Sequence, residues 1–410
     1  MRAKTVRVAL ASPRPDRELS VHVIAVLAPG QGAQSPGMFS PWLDLPGVAD
    51  QIDEFSEALG LDLLRLGTTA DAEEIKDTAV TQPLIVALGV LVADQLGLDG
   101  DFDRVVAGHS VGELTAAAVA GALTGPEAVA LAGRRGAEMA AACAREPTGM
   151  SAVIGGDADE VVAAILAAGL TPANRNGAGQ IVAAGPVAAL DAFAANPPAG
   201  SRVRPLSVAG AFHTSYMAPA EAILAAYAAS LTVGDPRPIL LSNADGASVS
   251  TGSDLIARLV RQVTLAVRWD LCMATCRDLG VTAAIELAPA GTLAGIAKRE
   301  LPGIEILAVK SPADLAAART LIDSTPQHGQ GEHTPEFRVV VTPAKGVFTR
   351  ATGMDEGTDV ARGTRLGTIA TNRDEHEIVA PSAGVLAEWL RHDGDIVPAG
   401  LPVARIDQLA

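Results

Sequence analysis

Residues 104–123 read "RVVAGHSVGELTAAAVAGAL". An apolar run, then Gly108, Ser110 and Gly112 in a G-x-S-x-G set, then an alanine-rich stretch predict a strand, a sharp turn and a helix in direct succession. Small residues on both sides of Ser110 let the chain turn tightly with the hydroxyl exposed, and the start of a helix favours negative charge near that oxygen. A serine in this setting is a candidate nucleophile, and a nucleophilic serine needs a base. The neighbour His109 is a poor candidate, because adjacent side chains on a strand or tight turn diverge; it is expected to support the turn. Among the other histidines, His328, His333, His376 and His392 fall in a polar stretch or beyond it, and His22 stands at the start of a strand before the fold proper. His213, in "VAGAFHTSYMAPA", remains, placed where a strand gives way to a helix and where loops present reactive groups.

Outward from this stretch the pattern repeats. "VHVIAVLA" (21–28) ends in the glycine-rich turn "PGQG", while "TAAIELAP" and "IEILAVK" read as further short apolar strands between helices such as "GPEAVALAGRRGAEMAAACA", where Pro126 suits a first turn. Strands alternating with helices predict an α/β fold with a mostly parallel sheet. Residues 148–207 differ: the β-like runs "GMSAVIGG", "IVAAGP" and "SRVRPLSV" bracket helices near 157–168 and 186–196. That order suits a small inserted α+β subdomain of ferredoxin-like type. Residues 1–20 read as a flexible extension, and "STPQHGQGEHTP" (324–335) as a linker. Residues 336–410, rich in short β runs broken by Gly and Pro, read as a small all-β domain.

Composition narrows the classes. The chain has 410 residues, 49% hydrophobic and 19% charged, so two or three packed units are expected. A net charge of −16 opposes binding to nucleic acid or an anionic membrane, and any anionic substrate must meet a local cation. Cys143, Cys272 and Cys276 match no disulfide, zinc or redox pattern, and Cys272 and Cys276, one helical turn apart, are expected to be packed thiols. With no secretory signal pattern at the start, a reducing cytoplasm is the expected location.

"APGQGAQSPGM", "TQPLIVA", "GHSVGELTAAAVAGAL", "AGRRGAEM", "AFHTSYM", "LVRQVTLAVRWD" and "IELAPAGTLAGIAKR" occur in the order and approximate spacing of the malonyl-CoA:acyl carrier protein transacylases, and this portion, 21–323, resembles that family. Acyltransferase domains of polyketide synthases share the pattern. The resemblance implies an α/β-hydrolase-like core in which Ser110 is acylated and His213 is its base and acid, oriented by main-chain carbonyls rather than by a third carboxylate. It implies an oxyanion hole from the backbone N–H groups of Gln31 and Val111, Gln262 beside the histidine, and Arg135 on the substrate carboxylate. Phe212 resembles the bulky residue of malonyl-selective members, whose ring crowds an α-methyl group. The implied partners are malonyl-CoA and acyl carrier protein, without metal, ATP or redox cofactor. Arg202, Arg204, Lys298 and Arg299 are candidates for a basic docking patch. The competing expectations are a discrete acyltransferase of a polyketide synthase and, third, a serine hydrolase.

Residues 336–410 resemble the biotinyl/lipoyl attachment domain in a barrel-sandwich of small strands. Where attachment needs a lysine at the hairpin tip stands Arg373, whose guanidinium is always protonated and cannot be acylated as an amine can. No biotin or lipoate is therefore expected, and two expectations remain for this domain, docking of a partner or a fusion relic.

Overall fold

Each apolar run bounded by turn residues becomes a strand, and each alanine-rich stretch with a 3.6-residue apolar period becomes a helix. The computed structural model describes residues 23–98, 104–324, 336–371 and 374–408. Up to residue 324 the strands are β1 (Val23–Ala28), β2 (Arg104–Gly108), β3 (Thr148–Gly155), β4 (Thr171–Gly177), β5 (Gln180–Pro186), β6 (Ser201–Pro205), β7 (Ile239–Leu241), β8 (Ser248–Val249), β9 (Val267–Arg268), β10 (Val281–Glu286) and β11 (Glu305–Ala308). The helices are α1 (Val48–Leu59), α2 (Leu63–Thr68), α3 (Thr78–Leu96), α4 (Gly112–Val119), α5 (Gly125–Cys143), α6 (Ala158–Ala167), α7 (Val187–Ala195), α8 (Ala218–Ala228), α9 (Gly252–Arg261), α10 (Trp269–Asp278), α11 (Thr292–Glu300) and α12 (Leu315–Asp323).

The large sheet runs β11–β10–β1–β2–β7–β8 and is parallel except at the β7–β8 edge. Strands β1 and β2 are in register to their ends, with Ala28 opposite Gly108, so the turn at Gln31 and the turn at Ser110 emerge side by side. β7 adds its own carboxyl end beside β2, through Leu241 opposite Ala107. In a parallel sheet such loops converge on one crevice, the usual place for a ligand.

Helix α3 is long and apolar enough to cross a membrane by composition, but it is largely buried as the central helix of the core, packed on α4 and α5. Its apolarity is accounted for by that packing. Helix α5 begins with a capping box between Thr124 and Glu127 and buries, among others, Ala128, Ala132, Arg135, Met139 and Ala142. This spacing of three and four residues defines one helix face. Arg135 therefore lies inside, while Arg134 faces out and pairs with Glu138 at 3.1 Å. Helix α4 stops at Val119, short of the alanine-rich stretch that suggested it, because Gly121 takes a left-handed φ of 70° and turns the chain.

The second sheet has the order β6–β3–β5–β4–β9. Its first four strands come from a β-α-β-β-α-β segment, with α6 and α7 within a residue of the predicted ranges at each end. Two features were not legible. β4, "TPANRNG", has no apolar alternation to mark it, and the sheet is not closed within 148–207. It borrows β9 from the main domain, Asn174 pairing with Val267, so the smaller unit is stitched to the larger one.

The strands after the linker are β12 (Glu336–Val341), β13 (Gly346–Arg350), β14 (Asp359–Val360), β15 (Arg365–Ala370), β16 (Glu375–Val379), β17 (Gly384–Trp389), β18 (Ile396–Val397) and β19 (Pro402–Gln408). They form two four-stranded antiparallel sheets, β12–β19–β17–β14 and β16–β15–β13–β18, around a separate apolar core with Phe348, Leu366, Ile369, Leu386 and Ile406 at its centre. The succession β13–β14–β15 recurs as β17–β18–β19, each starting at a Gly-Val pair, Gly346-Val347 and Gly384-Val385. The predicted extension 1–20, most of the linker and Arg373 lie outside the described residues.

Candidate active site

Three strand ends and two loops build the site. Ser110 leaves β2 with φ at 54°, a left-handed value that costs an L-residue about 1 kcal/mol or more and turns its side chain into the crevice. The glycines on either side permit the turn. A Cβ on Gly108 would lie 2.0 Å from the Gly112 oxygen, and one on Gly112 would lie 2.3 Å from the Ala28 oxygen. Asn243, just beyond β7, clamps the same turn. Its Oδ1 accepts from the Ser110 N–H at 2.7 Å and its Nδ2 donates to the Gly108 carbonyl at 2.7 Å.

His213 comes from 103 residues further along the chain, and its Nε2 lies 2.8 Å from Ser110 Oγ. It too is left-handed, with φ at 60°. Its N–H donates to the Val263 carbonyl at 3.1 Å, and its Nδ1 is 2.7 Å from the Gln262 carbonyl. A carbonyl only accepts, so Nδ1 carries the hydrogen and Nε2 is left as the acceptor for the serine hydroxyl. Burial, and then the Arg135 charge, push the His213 pKa down to about 3, so the imidazole is neutral in the free site.

His109 is turned elsewhere. Its Nε2 is 2.8 Å from Asn176 Oδ1 on β4, and its ring packs edge-on against Trp269. The tempting neighbour thus joins the smaller sheet to the nucleophile turn and is not the partner of Ser110 Oγ.

Arg135 donates through Nη1 to Gln82 Oε1 at 2.8 Å and through Nη2 to Gln262 Oε1 at 2.8 Å, with Nη2 also 3.4 Å from Ser110 Oγ. Both strong partners are neutral amide oxygens. Burial pushes its pKa down to about 10, still well above neutrality, so a full positive charge stands beside the nucleophile. Aliphatic side chains, including Leu114, Leu131, Leu224 and Ile256, line a small cavity next to Ser110 and Arg135. Phe212, beside His213 in the chain, is buried in the same apolar core as these side chains.

Gln31 and Val111 flank the serine from the ends of β1 and β2. Among the described residues, neither backbone N–H has a protein acceptor, which leaves two donors open next to Ser110.

Sequence reasoning missed Glu113, Asn243, Gln82 and Asn176. Glu113 stands one helical turn after Ser110 in the quoted motif, and that spacing was the available signal; nothing in "LSNADG" marks Asn243. Glu113 is an acidic member of the site in addition to the main-chain carbonyl at His213 Nδ1, and not in its place. Its carboxylate is buried, accepting from the Asn243 N–H at 2.5 Å and from Gln262 Nε2, although it does not touch His213. Burial raises its pKa to about 7. A carboxyl whose folded pKa lies above its unfolded value stabilises the fold below the unfolded value near 4.5 and loses that contribution as pH rises through 7. Glu113→Gln has no such loss. The melting temperature of the variant relative to the parent is therefore expected to rise between pH 5 and pH 8, by an amount equivalent to roughly 2 kcal/mol. Parallel melting temperatures at the two pH values would contradict it.

Cys272 and Cys276 are buried free thiols whose pKa burial raises, as expected of packed side chains. The four cations proposed for docking do not form one patch. Arg202 and Arg204 are exposed on β6, at one edge of the second sheet, whereas Lys298 and Arg299 are on α11, which packs against β4 near the other edge.

The sequence profile of the acyl transferase domain family matches residues 26–316. The chain is 59% identical over 297 residues to the malonyl CoA-acyl carrier protein transacylase of Mycobacterium tuberculosis H37Rv, covering 72% of this chain and 98% of that one. It is 34% identical over 307 residues to the enzyme of the same name from Escherichia coli K12, covering 72% and 99%. The crystal structure of the Mycobacterium tuberculosis protein superposes with a TM-score of 0.71 over 73% of this chain and all of that one. A malonyl-transacylase solved in complex with a type II polyketide synthase acyl-carrier protein, 30% identical, superposes at 0.68 over 73% of this chain and 99% of that one.

Proposed function

This chain belongs to the acyl transferase domain family, among the malonyl CoA-acyl carrier protein transacylases, and from that membership we propose that it carries malonyl between the two thioesters as an ester on Ser110. The observation that carries this reading is the meeting of three groups at one point. Ser110 Oγ has the acceptor nitrogen of His213 at 2.8 Å and the guanidinium of Arg135 at 3.4 Å.

His213 Nε2 takes the Ser110 proton as Oγ attacks the thioester carbonyl of malonyl-CoA. The developing oxyanion is met by the N–H groups of Val111 and Gln31, and His213 returns its proton to the departing CoA sulfur. The phosphopantetheine thiol of acyl carrier protein then enters, gives its proton to His213 and attacks the ester carbonyl; the bond to Ser110 Oγ breaks, and His213 Nε2, 2.8 Å away, returns the proton to that oxygen. One thioester is exchanged for another, so the reaction is nearly balanced. Arg135 holds the malonyl carboxylate, and a planar guanidinium does so with two parallel bonds. That contact also bears on the base: a carboxylate against Arg135 offsets the charge that depresses His213, so a carboxylate-bearing substrate raises the basicity of its own catalyst.

Intact mass of the protein mixed with malonyl-CoA, and then with acyl carrier protein, tests the proposal. A malonyl adduct discharged by carrier protein supports it. An adduct discharged equally fast by water alone favours a hydrolase.

The inserted β-α-β-β-α-β segment supports a ferredoxin-like subdomain. The paired four-stranded sheets and the β15–β16 hairpin support a biotinyl/lipoyl-like fold for residues 336–410, which we propose docks a partner rather than carries a group. Its core shares no residue with the catalytic cores. A chain ending at Ser324 is accordingly expected to keep its malonyl-loading rate within about twofold, since changes remote from a site rarely alter its chemistry. A loss of loading together with the domain would contradict this.

A further inference from the structure

We propose that Glu113 is a positioning residue for malonyl selectivity, because it decides which end of the Gln262 amide faces Arg135. This deepens the transacylase reading and rests on it. The two ends of a glutamine amide are almost the same size, so shape does not choose between them; hydrogen bonding does. Glu113, as an ionised carboxylate, only accepts. One of its oxygens takes the Asn243 N–H at 2.5 Å and the other takes Gln262 Nε2. The same Nε2 donates to the Ser110 carbonyl at 3.0 Å. With its nitrogen committed to acceptors, Gln262 must turn its oxygen to Arg135, where it accepts from Nη2 at 2.8 Å.

The arrangement gives Arg135 two acceptors, Gln82 and Gln262, that hold the guanidinium without neutralising it. Glu113 acts at one remove. Its charge is separated from Arg135 by the width of an amide, and among the described residues Arg135 has no ion pair. A carboxylate in direct contact would occupy the fork that malonyl needs.

Glutamine at position 113 reverses the logic. The Asn243 N–H still demands an acceptor, so the new side chain presents its oxygen there and its NH2 to Gln262. Gln262 then answers with its own oxygen, and its NH2 swings onto Arg135, donor against donor. Protonation of Glu113 in the parent protein has the same consequence, because the added O–H also requires the Gln262 oxygen. The charged or titratable groups around Glu113 are Arg135 from α5, Arg258 from α9 and Cys272 from α10. The two arginines stay charged and the buried thiol stays neutral over the range in which Glu113 titrates.

The test compares initial acylation by malonyl-CoA and acetyl-CoA, followed by intact mass, in full-length parent and Glu113→Gln at pH 6 and pH 8. At pH 8 the variant is expected to lose about tenfold to a hundredfold in the malonyl-to-acetyl ratio of kcat/KM. That is the size of one lost hydrogen bond to a charged group, and it is expected mainly in the KM for malonyl-CoA. In the parent the ratio is expected to fall from pH 8 to pH 6, and in the variant to be flat, because kcat/KM reports the ionisation of the free enzyme, in which His213 is the same for both substrates. Equal losses toward both substrates in the variant would make Glu113 merely structural and overturn the proposal. So would a parent ratio that does not change with pH, a measurement that stands even where the variant does not fold. A parent that does not prefer malonyl at all would instead defeat the transacylase reading.

Discussion

Ser110→Ala is expected to leave a folded protein that takes up no malonyl from malonyl-CoA, with transfer to carrier protein reduced by at least about 10³-fold. Losses of this order follow removal of a nucleophile whose partners act as a unit. The backbone at 110 is held by Asn243 from both sides, Oδ1 on the Ser110 N–H and Nδ2 on the Gly108 carbonyl, so the turn survives the loss of a hydroxyl. Alanine meets the same left-handed φ of 54° that serine does, and its melting temperature is expected to shift little. Intact mass checks the adduct and calorimetry checks the fold. A variant that still acquires malonyl at the parent rate would place the acyl group on another residue and sink the assignment of Ser110.

Arg135→Ala is expected to lower kcat/KM for malonyl-CoA by about 10² to 10³, the measure of removing one member of a buried, hydrogen-bonded charge pair. Acetyl-CoA makes no carboxylate contact and is expected to gain relative to malonyl-CoA. Some stability is lost as well, since Gln82 Oε1 and Gln262 Oε1 are left without their donor. Arg135→Lys separates the two effects. It keeps a charge but offers no planar fork, so it is expected to recover part of the malonyl rate and little of the orientation. Unchanged discrimination between malonyl and acetyl in Arg135→Ala would remove the arginine from substrate recognition.

Both variants bear on residues that the sequence already singled out. The strand, turn and helix around Ser110 were legible because their signals are local: an apolar run, glycines where a Cβ has no room, and alanines at helical spacing. Arg135 was singled out by the resemblance; that it lies inside while Arg134 faces out follows from the helical period of α5 as the structure shows it. The short strand β4 was not legible, because it is polar and gains its pairing from β5 on one side and β9 on the other. Glu113 was visible as a letter in the motif but not as a member of the site, since its partners Gln262 and Asn243 are 149 and 130 residues away.

The sequence by itself determined the α/β class, the nucleophile turn and, through elimination and resemblance, the serine, histidine and arginine of the site. Only the tertiary structure decided how they meet. It brought the ends of β1, β2 and β7 to one crevice, set the His213 tautomer through the Gln262 carbonyl, and turned His109 toward Asn176. It also buried Glu113 behind an amide that orients Arg135. The physical reason is one of range. Period, turn and cap are decided by neighbours within a few residues, whereas a tautomer, an amide orientation or a depressed pKa depends on groups brought close by packing from more than a hundred residues away.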